Sequence, residues 1–154
     1  MAIHITNAAI DEAPLVYDIM QRAFAEYLGV LDPPSGVHSE SLDDVIVALD
    51  QGGAILAWIG SEAVGSARYA FREDSCYIGR VSVLPQYRGQ GIASAMMEYI
   101  EGIARAHGSS YLEIGVRMVL ESNINLYKRL GYTITEMFEH PKGGGMVGTM
   151  VKPL

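Results

Sequence analysis

The chain holds a single cysteine, Cys76, so no intramolecular disulfide can form. A reducing compartment such as the cytoplasm fits that usage. Basic residues are not in excess: 11 Lys and Arg face 18 Asp and Glu, for a formal net charge of −7. An acidic surface repels phosphate backbones, which argues against nucleic acid as a partner. The same charge mildly favours a cationic substrate, although a surface average does not describe one pocket. No apolar run is long enough to cross a bilayer. Residues 1–14 lack a basic start followed by a long apolar stretch, so no secretion signal is expected. Internal repeats and runs of like charge are missing too. The four histidines and one cysteine show no metal-ligand spacing, so no metal is expected. What is present is 154 residues, 49% of them apolar and 19% charged. That is enough to bury one core in a single domain over residues 1–154.

Periodicity divides the chain into short elements. Residues 3–6 alternate as a strand. Asp11 is expected to cap a first helix, with Pro14 in its first turn and Leu15, Ile19, Ala23 and Phe24 on its apolar face, running to about Leu28. Asp32-Pro33-Pro34-Ser35-Gly36 breaks regular structure. Ser41 caps a second helix whose apolar face is Val45, Ile46 and Leu49, and Gly52-Gly53 ends it. Strands are expected over 54–59, 64–71 and 77–84, the last with Ile78, Val81 and Val83 buried and Pro85 as its stop. A helix over 90–107 ends at Gly108. A strand over 111–116, a helix over 122–130 closed by Gly131, and strands over 132–138 and 146–151 complete the chain. The order β-α-α-β-β-β-α-β-α-β-β predicts an α/β fold, a mixed sheet with helices on its faces.

One junction carries chemistry. The strand ending Val81-Ser82-Val83-Leu84-Pro85 leads into Gln86-Tyr87-Arg88-Gly89-Gln90-Gly91, and a helix follows at once. Glycines let backbone approach a ligand closely. The first N–H groups of a helix lack internal partners and sit at the positive end of its dipole. Such a turn can hold a diphosphate. A glycine turn between strand and helix is also common for purely structural reasons. It is not a Walker A loop, which ends in Gly-Lys-Ser/Thr. Nor is it a dinucleotide fingerprint, because Ser94 stands where a third glycine or alanine belongs.

The string Gln86-x-x-Gly89-x-Gly91 resembles the Q/R-x-x-G-x-G/A signature of the GNAT superfamily, the GCN5-related N-acetyltransferases. Val83-Leu84-Pro85 resembles the V-x-P strand end before it, and 123–132 resembles the N…LYxxLGF/Y helix near the C-terminus. The two motifs stand in the family's order, and the resemblance spans essentially the whole chain. It implies a GNAT-like acyl-CoA N-acyltransferase fold, acetyl-CoA as co-substrate, and direct transfer to an amine of a small molecule or of a peptide or protein N-terminus. It leaves open another acyl group, a hydroxyl or thiol acceptor, a domain that only binds coenzyme A, and a homodimer.

The resemblance also implies roles. Val81 and Val83 contact the pantetheine arm through main chain. Arg88, Gly89, Gln90 and Gly91 offer N–H groups to the diphosphate, with Ala93 and Ser94 at the helix start. The Arg88 side chain is expected in solvent. Tyr127 is the family tyrosine aimed at the thioester sulfur; a phenol with a reference pKa of about 10 keeps its proton at neutral pH and can give it away. Asn123 lies one turn earlier on the same face, where an asparagine of the family touches the pantetheine or orders a water. Many members place that asparagine nearly two turns before the tyrosine, where this chain has Leu120. Many members carry a glutamate before the phosphate loop, but Tyr77-Ile78-Gly79-Arg80 contains no acid. One branch uses a glutamate on the next strand, which points to Glu113; Glu26 or a bound water are the other candidates for the base. Tyr27, His38 and His140 fall in regions that build the acceptor pocket of the family.

Overall fold

The structure is a computed structural model and describes residues 2–154. Strands β1 (Ile3–Asn7), β2 (Gly53–Ile59), β3 (Glu62–Phe71), β4 (Ser75–Val83), β5 (Tyr111–Arg117), β6 (Thr133–Glu139) and β7 (Met146–Pro153) form one sheet in the order β1-β2-β3-β4-β5-β7-β6. Every neighbouring pair is antiparallel except β4–β5, which is parallel. The helices are α1 (Ala13–Phe24), α2 (Leu42–Gln51), α3 (Ile92–His107) and α4 (Glu121–Arg129). Their order along the chain is the one the periodicity predicts.

Each face of the sheet has its own core. On β2 the side chains alternate, as strand geometry requires. Ala54 and Leu56 pack with Val16, Ile19 and Met20 of α1 and Val45 of α2. Ile55 and Ala57 pack with Met96, Ile100 and Ala104 of α3. Tyr127 and Ile124 of α4 belong to this second core.

Several local expectations shift. Asp11 does not cap α1; it lies in a 3-10 turn, Ile10–Glu12, and Glu12 reaches back to accept from the Ala9 N–H at 2.9 Å. The buried stripe of α1 is Val16, Ile19, Met20 and Ala23, so Leu15 faces solvent. Ile46 of α2 is likewise exposed, because Val45 alone occupies the buried line of that short helix. Ser41 does cap α2: its hydroxyl accepts from Asp44 N–H at 3.2 Å and the Asp44 carboxylate accepts from Ser41 N–H at 2.8 Å.

The feature that positions the site lies in β4. It pairs with β5 only from Ser75↔Tyr111 to Ile78↔Ile114. Against β3, Gly79 faces Arg68 and Ser82 faces Ser66, so two residues of β4 oppose one of β3. This is a bulge, and Arg80 stands in it with φ 52, a left-handed value that non-glycine residues seldom adopt. Beyond it the two parallel strands part.

Replacing Ser41 with alanine removes one reciprocal bond of the α2 cap and is expected to lower stability by about 1 kcal/mol. Chemical denaturation checks this; an unchanged midpoint would mean that the cap is dispensable.

Candidate active site

The gap between the ends of β4 and β5 opens into a cavity of about 1230 Å³. One wall is β4 from Gly79 to Val83, the other is β5 from Ile114 to Arg117. Leu84 N–H donates to Val64 O on β3 at 2.9 Å. Alternation then turns the peptide groups of Val83 and Val81 the other way, into the gap, where no strand pairs with them and only the Val83 carbonyl is used, by the Arg88 side chain at 3.2 Å. A slot edged by unpaired main chain can accept an extended molecule rich in amides.

At the end of β4 the chain makes a 3-10 turn, Pro85–Tyr87, and then the glycine loop. Gly89 and Gly91 have φ of 75 and 83, and a Cβ on either would meet no atom within 4 Å. The loop needs glycine for its left-handed backbone, and the space outside it is open. Helix α3 begins at Ile92, two residues later than the periodicity predicts, because Gly91 takes the capping position. Its first internal bond is Ala95 N–H to Gly91 O. The N–H groups of Ile92, Ala93 and Ser94 are therefore free to bind an anion, and all three residues line the cavity. Ile92 is an addition: its side chain is core, and only the observed helix start reveals its N–H as a donor. Gln90 is exposed and does not line the cavity, since the loop turns its residue outward.

Arg88 departs from the expectation in both of its parts. Its N–H is used on Pro85 O at 3.3 Å. Its side chain is not free in solvent. It donates to Val83 O at 3.2 Å, to Ala23 O at 3.0 Å and to the Glu26 carboxylate at 2.6 Å. The guanidinium thus ties the loop to the end of β4 and the last turn of α1, a use of its fork that a lysine could not copy.

Tyr127, Asn123, Glu26, Tyr27 and His140 all line the cavity. Tyr127 is 6% exposed, and burial, with the Tyr27 phenol close by, holds its own phenol well above the usual range. Tyr27 is raised as well, first by burial and then by the Glu26 charge, with Arg88 and Asn123 pulling the other way. Both phenols therefore stay protonated across neutral pH.

Glu113 is not brought to this group. It points away from Leu112 and Ile114 as alternation requires, but it sits opposite Tyr77, where β4 and β5 are still paired. Its carboxylate accepts from Arg72 at 3.3 Å and from the Ser75 hydroxyl at 3.4 Å, and it does not line the cavity. His38 does not line it either. Three arginines outside the sequence motifs do: Arg68 on β3, Arg80 on β4 and Arg117 at the end of β5. Among the described residues, no cluster of three or more His, Cys, Asp or Glu could hold a metal ion, and no helix is long and apolar enough to cross a membrane.

The family model of the acetyltransferase (GNAT) family matches residues 15–132, and the chain belongs to that family. Thialysine N-epsilon-acetyltransferase of Mus musculus is 34% identical over 77 residues, which are 47% of this chain and 45% of that protein, so the match spans less than half of that relative. Among solved structures, Ard1 from Thermoplasma volcanium gives a TM-score of 0.82 at 18% identity over 100% of this chain and 99% of that one. The PaiA N-acetyltransferase of Thermoplasma acidophilum in complex with coenzyme A gives 0.81 at 15% identity, with 100% of both chains covered. The ribosomal-protein-S18-alanine N-acetyltransferase of Escherichia coli gives 0.79 at 19% identity over 99% of this chain and 94% of that one. At these identities the likeness is one of fold.

Cys76 offers no nucleophile. It is fully buried, and burial pushes its thiol up to about 11. At pH 8 an aromatic disulfide reagent should find no reactive thiol in the native protein and one after denaturation. Fast native reaction would contradict the burial.

Proposed function

We propose that the protein is an acetyl-CoA-dependent N-acetyltransferase that passes the acetyl group directly to an amine. The observation that carries this is the meeting of three features at one gap: unpaired strand edges at Val81 and Val83, free N–H groups at the start of α3, and the phenol of Tyr127. Family membership supports it, as do a relative solved with coenzyme A and another that acts on thialysine. When bound, acetyl-CoA supplies the acetyl group as an activated thioester.

The residues present fit that molecule. The Val81 main chain and the Val83 N–H face its amide-bearing arm, the Val83 carbonyl being held by Arg88. Gly89 and Gly91 leave room for a diphosphate, and Ile92, Ala93 and Ser94 offer it hydrogen bonds. Asn123 borders the same space. The Val83 N–H is the donor suited to polarise the acetyl oxygen. Tyr127 gives its proton to the departing sulfur, and burial suits it to that role because a raised pKa keeps the donor form present. Glu26 is the one carboxylate among the cavity's described lining residues, and it adjoins the Tyr27 phenol. In this reading Glu26 takes the amine proton, directly or through water, and Glu113 serves to anchor the β3–β4 hairpin to β5. Direct attack needs no enzyme nucleophile, in keeping with the inert Cys76. A single buried thiol is consistent with the cytoplasm.

Release of free thiol from acetyl-CoA in the presence of amines tests the activity. Tyr127→Phe should lower kcat by about 100-fold or more while leaving acetyl-CoA binding intact; unchanged turnover would remove Tyr127 from the mechanism. Because its phenol is raised, kcat should show no alkaline fall from Tyr127 below about pH 10. Glu26→Gln and Glu113→Gln separate the two candidate bases. A fall in kcat confined to Glu26→Gln supports Glu26 as the base, and one confined to Glu113→Gln restores the strand glutamate.

A further inference from the structure

The chain is acidic overall, yet its cavity is not. Five arginines, Arg68, Arg80, Arg88, Arg117 and Arg129, line it, against the single carboxylate of Glu26. Arg88 pairs with that carboxylate and belongs to the glycine loop. Arg68, Arg80 and Arg117 stand apart from the loop, on the sheet beneath the segment that joins α1 to α2. Arg80 and Arg68 share one carboxylate, Glu40, which is almost buried, so two guanidinium charges meet one negative charge there. Asp44 also feels Arg68, but it is fully exposed and already engaged with Ser41. Arg117 has only a neutral partner, Pro34 O at 3.3 Å. The Tyr77 side chain also lines the cavity, against Gly79 and Gly115, with a Cβ on Gly115 only 3.2 Å from the phenol oxygen. Guanidinium groups that face a cavity without full compensation favour an anion with the geometry of a carboxylate.

The same region is roofed. The 36–39 turn packs on Arg80, with a Cβ on Gly36 only 3.0 Å from its guanidinium. The loop between β6 and β7 touches the α1–α2 segment: a Cβ on Gly144 would stand 3.4 Å from Asp32 O, and one on Gly145 3.3 Å from it. The two loops therefore meet on the side of the cavity where Arg80 and Arg117 stand.

We propose that the acceptor is a small amine that also carries a carboxylate, and that Arg80 and Arg117 hold this carboxylate, with Arg68 fixed behind them through Glu40. The proposal rests on the acetyltransferase reading and names its substrate class. Arg80 acts from a left-handed bulge residue, so the backbone distortion that parts the strands also places a cation beside the acceptor. The carboxylate is anchored on the arginines, and the amine faces Glu26 and Tyr127.

Thiol release is measured with free amino acids, their α-amides and their decarboxylated amines as matched acceptors, after calorimetry has established acetyl-CoA binding. The carboxylated member should be preferred by about tenfold or more in kcat/KM, the worth of a charge-assisted bond. Arg80→Met and Arg117→Met should each raise KM for the carboxylated acceptor by a similar factor, with no matching rise in KM for acetyl-CoA. Arg117→Met breaks only a bond to a backbone carbonyl, so it reports on recognition even if Arg80→Met folds poorly. Equal or better turnover of the amides or decarboxylated amines overturns the proposal while leaving the acetyltransferase standing. So does acetyl-CoA binding with no acylation of any member of the panel, or variants whose two KM values rise together. Absence of acetyl-CoA binding instead removes the acetyltransferase reading itself.

Discussion

The early end of one strand pair shapes everything else in this molecule. β4 and β5 are parallel and hydrogen-bonded for four residues each, and then they separate. The extra residue at Arg80 makes that separation, because a bulge turns the strand and raises its local twist. A sheet that stayed zipped would satisfy its own peptide groups and offer nothing. Here, main-chain groups of Val81 and Val83 lack a strand to pair with, and a bound molecule can take the place of that strand. The glycine loop begins where β4 ends, so its free N–H groups face the same gap. Helix α4 leaves the far end of β5 and brings Tyr127 across from the other side.

The electrostatics follow from that frame. An acidic surface surrounds a cavity whose fixed charges are mainly guanidinium groups. Arg88 uses its whole fork on the protein, joining α1, β4 and the loop. It therefore holds the glycine loop in place. Arg80 and Arg68 meet at Glu40, a nearly buried carboxylate whose one charge does not balance both cations. Partly buried charges of this kind are costly unless compensated, and these line a cavity that solvent or a ligand can reach. The net charge of −7 describes the surface and misleads about the pocket.

Much of the fold was legible in the sequence for plain reasons. The apolar run over 54–59 marks a strand covered on both faces, and the helical spacing on α3 marks the face that meets the core. Proline and paired glycines mark where β4 stops and α3 starts. The bulge was legible in principle too. Cys76 and Ile78 share a face with Val81 and Val83, and that change from even to odd positions requires one extra residue between them. Other features were hidden. Alternation fixes the face on which Glu113 lies but not its height along the gap, and it falls below the point where the strands part. The Arg88 side chain is anchored by a carbonyl 65 residues away in sequence. Arg68, Arg80 and Arg117 come from three strands, and only the folded sheet gathers them.

The central claim is that β4 presents the free N–H groups of Val81 and Val83 to a bound coenzyme. Amide hydrogen exchange, read residue by residue by NMR, tests it most directly. In the free protein the Val81 and Val83 amides should exchange much faster than that of Ile78, which lies where the strands are paired. Saturating acetyl-CoA should slow Val81 and Val83 and leave Ile78 unchanged. Val81 and Val83 amides already protected in the free protein, or indifferent to acetyl-CoA, would contradict the account.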